Sequence, residues 1–73
     1  MNTKAIIGAI AAGWFQRIPA ETLAGWCGHM AEWRMTDEQL LRAIRNASLV
    51  AEFPSLAAIR KAALEIRGNG FVA

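Results

Sequence analysis

The stretch from Trp26 through Met35-Thr36-Asp37-Glu38-Gln39-Leu40 to Glu52-Phe53-Pro54-Ser55-Leu56 constrains this chain more than any other. It reads as three short helices in tandem, the first closed by tryptophan and the last entered through a Phe-Pro corner. Thr36 and Gln39 have the spacing of a capping box, in which two side chains satisfy each other's backbone N–H groups at a helix start. Asp37 and Glu38 follow in the first turn, where the helix dipole favours negative charge. Phe53 precedes a proline, which pushes it out of the α region and stops the middle helix before it.

Around that stretch the apolar periodicity predicts four helices, over 3–16, 20–33, 36–51 and 54–67, in one domain spanning 1–73. Alternation of period two never persists, so no strand is expected, and the fold class is all-α: a compact bundle of four short helices. Ile6, Ile10 and Trp14 recur at steps of four in the first helix, with Ile7 beside them. Gly8 and Gly13 weaken that helix by roughly 1 kcal/mol each relative to alanine, and their bare backbones would admit a close neighbour. Trp14 and Phe15 point in adjoining directions, so one of them faces outward. Arg17-Ile18-Pro19 makes a corner, with Pro19 expected in the first turn of the second helix. Leu23, Trp26, Cys27, Met30 and Trp33 form that helix's apolar stripe. In the third helix the inner residues are Leu40, Leu41, Ile44, Ala47 and Val50. Pro54 is placed in the first turn of the fourth, with Ser55 as a cap and Leu56, Ile59, Ala63 and Ile66 inside. Gly68-Asn69-Gly70 ends it, since glycine accepts the left-handed conformation at a helix end.

A chain of 73 residues buries only about 60% of its unfolded surface. It compensates with density: 55% of its residues are hydrophobic and three are tryptophan. Some of that apolar surface is expected to stay exposed as a contact site for a partner or for a second copy in a homodimer. A lone cysteine, Cys27, excludes an internal disulfide framework and makes a reducing, cytoplasmic setting the default. Eight basic and six acidic residues leave a net charge of +2, which permits a weak DNA contact without arguing for one. The start, Met1-Asn2-Thr3-Lys4 and then Ala5 to Phe15, imitates a signal peptide but reads better as an amphipathic first helix. Its apolar run is too short for the ~20 residues a membrane span needs, so no membrane association is expected.

Few residues here suit catalysis. Cys27 and His29 are two apart, and on a helix such positions face different ways and cannot share a metal ion or act as nucleophile and base. No second pair of ligands exists, so no metal or other cofactor is expected. Glu21, Glu32, Asp37, Glu38, Glu52 and Glu65 fall mostly at helix starts or on solvent faces. The chain therefore reads as a non-enzyme. Arg42 with Arg45 on the third helix, and Arg60 with Arg67 on the fourth, would form a modest cationic patch if the two faces adjoined. Otherwise they solvate two separate faces.

Taken together, Trp26 to Met30, Met35-Thr36-Asp37-Glu38-Gln39-Leu40-Leu41-Arg42-Ala43-Ile44 and Glu52-Phe53-Pro54-Ser55-Leu56-Ala57-Ala58-Ile59-Arg60 resemble the N-terminal domain of phage replicative-helicase loader and inhibitor proteins. The likeness covers about half the chain, and Ser55 stands where that family usually has a second proline. The resemblance implies an all-helical phage protein that binds the replicative helicase or its loader in the bacterial cytoplasm and modulates replication initiation. It transfers no binding residue; the side chains expected to make the contact are Trp33, Arg34, Arg42, Arg45 and Phe71. Replacing Arg42 and Arg45 by alanine should then weaken binding without unfolding the domain. The alternative is a small helix-turn-helix DNA-binding protein, using Arg42, Arg45, Asn46, Arg60 and Arg67.

Overall fold

A computed structural model describes residues 1–68, and within them the chain is an all-α bundle of four short helices: α1 Thr3–Trp14, α2 Ala20–Glu32, α3 Asp37–Val50 and α4 Leu56–Gly68. Side-chain caps account for the starts of α1, α3 and α4. At α3 the capping box is complete: Gln39 N–H donates to Thr36 Oγ1 at 3.1 Å and Thr36 N–H to Gln39 Oε1 at 2.9 Å. At α1 the Asn2 side chain accepts from the Ala5 N–H at 3.2 Å.

Three boundaries depart from expectation. α1 ends at Trp14 rather than residue 16, because Phe15 turns left-handed at φ 54°. Pro19 occupies the cap of α2, extended at φ −55° and ψ 141°, instead of its first turn. Pro54 likewise lies before α4, where Ser55 caps by accepting from the Ala58 N–H at 3.1 Å. Both prolines thus precede the helix and leave the first turn to residues with an N–H.

α3 is the hub, packing extensively on α4 and on α1, while α2 touches α1 only lightly. α1 and α3 run side by side in the same direction. At one end the Asn2 N–H donates to the Asp37 carboxylate at 3.1 Å. At the other the Trp14 indole N–H donates to the Ala51 carbonyl at 3.0 Å. Between them Gly13 meets Ser48 so closely that a Cβ at residue 13 would sit 2.9 Å from the Ser48 Cβ. The expected close approach is therefore made at Gly13 but not at Gly8, which has open space around it. α4 returns antiparallel to α3, bringing Arg67 back to the end of α2.

The core is wholly apolar: Ile6, Ile10, Trp14, Cys27, Met30, Leu40, Ala43, Ile44, Ala47, Ile59, Ala62, Ala63 and Ile66. Fully buried, each Ile, Leu or Met side chain contributes about 1.5–3 kcal/mol. No buried side-chain polar atom among the described residues lacks a partner. The α1 and α4 stripes lie where the periodicity puts them, with Leu56 half-buried at the entrance to α4. Val50 is the exception: it is 86% exposed rather than inside. It is the last residue of α3, where the chain leaves the helix, whereas Ala43, two turns earlier on nearly the same face, is fully buried. Among the described residues no helix is long and apolar enough to cross a membrane.

Candidate partner-binding groove

The end of α2 determines where the surface opens. Trp33 caps the helix and Arg34 then adopts a left-handed conformation at φ 54°, which turns the chain toward α3. A helix C-terminus leaves carbonyl groups without partners and carries partial negative charge. The Arg67 guanidinium, from the last turn of α4, donates to the Trp33 carbonyl and so meets both needs. This bond joins the peripheral helix α2 to α4.

Between those two helices lies an open groove made of two adjoining clefts of about 770 and 310 Å³. Glu32, Trp33, Arg60 and Leu64 line both. His29, Leu56, Ala57 and Lys61 extend the groove toward the start of α4; Arg34, Met35, Ala63 and Arg67 extend it toward the end. Its walls are thus partly apolar and, among the described residues, carry Arg34, Arg60, Lys61 and Arg67 against the single carboxylate of Glu32.

The residues singled out from the sequence divide between faces. Trp33, half-buried, and Arg34, exposed, stand together in the groove. Arg42 and Arg45 do not join them: they project from the face of α3 roughly opposite its buried strip and line neither cleft. Asn46 belongs to a third cleft, between α3 and α4, with Leu49, Val50, Lys61 and Glu65. Arg60 and Arg67 turn toward α2, away from that cleft. The five residues proposed for DNA contact are therefore distributed over separate faces instead of forming one patch. Phe71 lies outside the described residues.

The contribution of Arg60, Lys61 and Leu64 to a groove with Trp33 was not foreseen. The sequence did carry a signal: Ala57, Arg60, Leu64 and Arg67 alternate apolar and basic at steps of three, four and three, which puts them on one ridge of α4.

Cys27 and His29 stay apart, the thiol buried and the imidazole exposed in the last turn of α2. Burial pushes the Cys27 thiol above its ordinary pKa of 9.0, which disfavours the reactive thiolate. No group of three or more His, Cys, Asp or Glu gathers to hold a metal among the described residues.

A second exposed surface sits where α1 and α3 end together. Phe15, Leu49, Val50 and Phe53 are between 64% and 92% exposed there. Compared with family models, curated proteins and solved structures, the chain matches none.

Proposed function

We propose that this chain is a non-enzymatic protein–protein interaction module whose docking surface is the α2–α4 groove. The observation carrying this reading is the groove itself: an open channel in which Trp33 and Leu64 lie beside Arg34, Arg60, Lys61 and Arg67. Tryptophan and arginine are the residues most enriched among energetically dominant interface positions. A rigid helical wall on each side holds them in place, so little ordering entropy is lost on docking. The only thiol is buried, and the only histidine stands exposed two residues along α2 from it, too far round the helix to act with it as a base, which supports a role without catalysis.

The resemblance of Trp26 to Arg60 to phage helicase loader and inhibitor proteins supplies the partner class: the replicative helicase of a bacterial host, or its loader. Binding would then modulate replication initiation. Affinity capture from nuclease-treated bacterial lysate tests this. Recovery of a replicative helicase or its loader is the expected result. Recovery that vanishes with nuclease and falls steeply with salt would overturn it in favour of DNA binding.

A further inference from the structure

The α4 wall of the groove is patterned, and the pattern describes what fits it. Arg60 and Arg67 are separated by two helical turns, about 10 Å along the axis. Leu64 lies between them and is 55% exposed. Trp33 borders the same strip from α2, and Arg34 and Lys61 add charge at its two ends. Among the described residues, four cations thus face one carboxylate, Glu32, around an apolar centre.

Resting on the interaction reading above, we infer that the groove's occupant is an acidic amphipathic helix of the partner protein. A helix laid along α4 repeats with the same pitch, so carboxylates seven residues apart reach Arg60 and Arg67 together. An apolar residue between those carboxylates falls on Leu64 and Trp33. This is the helix-in-groove mode of recognition, in which anchors recur at steps of three and four. The charge imbalance selects acidic flanks and repels basic ones. Arg67 can serve both its bond to the Trp33 carbonyl and an incoming carboxylate, because a guanidinium has N–H donors to spare. Nucleic acid fits less well. A duplex backbone offers phosphates but nothing apolar for Leu64, and the cations are interrupted where a nucleic-acid surface would concentrate them.

The test is a titration of the full chain with a synthetic helical peptide of about 18 residues, long enough to hold a helix. Leucine occupies one face and glutamate flanks it; a second peptide carries lysine in place of glutamate. Proton–nitrogen correlation spectra follow the Trp33 indole and the backbone amides of α4. The glutamate peptide is expected to shift these signals, and the lysine peptide to leave them in place. Arg60→Glu should weaken binding at least tenfold, equivalent to about 1.4 kcal/mol, and Leu64→Ala should weaken it through the apolar half. Arg45→Glu, on the far face of α3, should bind as the wild type does. The inference is overturned if the glutamate peptide leaves Trp33 unmoved, or if Arg60→Glu binds as tightly as the wild type. It is also overturned if a DNA duplex shifts the same signals at lower concentration than the peptide. Capture of a helicase or loader equally by wild type and Arg60→Glu would remove the groove assignment while leaving the interaction reading intact. Failure of that capture alongside normal peptide binding would do the reverse.

Discussion

The contact between Gly13 and Ser48 predicts that one substitution, made twice on the same helix, has opposite signs. At Gly8 a new Cβ meets nothing within 4 Å. Alanine there removes glycine's helix penalty, so Gly8→Ala should stabilise the protein by up to about 1 kcal/mol. At Gly13 the new Cβ would lie 2.9 Å from the Ser48 Cβ and 3.2 Å from its Oγ. The nearer atom is fixed to the α3 backbone, so no rotamer change relieves the clash. α1 and α3 must separate by a few tenths of an ångström, loosening the core to which Ile6, Ile10 and Ile44 belong. Overpacking of this kind costs typically about 1–3 kcal/mol, more than the propensity gain at a residue next to the helix end. Gly13→Ala should therefore be destabilising by about 1–2 kcal/mol on balance. Urea unfolding followed by tryptophan fluorescence measures both, with the midpoint shift read at constant slope. Ser48→Gly in the Gly13→Ala background should recover part of the loss, giving a positive coupling in a double-mutant cycle. If both alanines stabilise equally, or the cycle shows no coupling, the parallel packing of α1 on α3 is wrong.

Other perturbations probe single features. Thr36→Ala removes the capping box and should cost about 1 kcal/mol in the same unfolding assay. Trp14→Phe deletes the donor to the Ala51 carbonyl, and leaving that part-buried acceptor unpaired should cost about 1–3 kcal/mol. Because burial raises the Cys27 pKa in the folded state, its stabilising contribution is complete below the unfolded value of 9.0. It is lost as pH rises through the higher folded value. Unfolding midpoints should therefore fall above pH 9 more in the wild type than in Cys27→Ala.

What the sequence made legible was local. The capping box needs only Thr36 and Gln39, three residues apart, and it stands in the structure as spaced. The Ile6, Ile10 and Trp14 stripe follows from helical pitch alone, as does the exposure of one aromatic from the Trp14–Phe15 pair. The rest depended on contacts between distant segments. That α1 and α3 are parallel is fixed by Asn2 meeting Asp37 and Trp14 meeting Ala51, thirty-five and thirty-seven residues away. No periodicity encodes that pairing. The left-handed Phe15 and Arg34 were hidden because that conformation is ordinarily signalled by glycine. Ala43 and Ala62 are buried, yet alanine carries little sign of which way it faces. The groove was only half visible: the α4 ridge can be read by counting, but its pairing with Trp33 depends on which side of α4 receives α2. For the same reason Arg42 and Arg45 could be grouped with each other but not assigned to a surface.

The most direct test compares wild type, Arg60→Glu and Arg45→Glu in parallel, by affinity capture from nuclease-treated lysate. Wild type and Arg45→Glu should both retain a replicative helicase or its loader, and Arg60→Glu should lose it. Retention by Arg60→Glu together with loss by Arg45→Glu would contradict this, moving the binding surface from the α2–α4 groove to the outer face of α3.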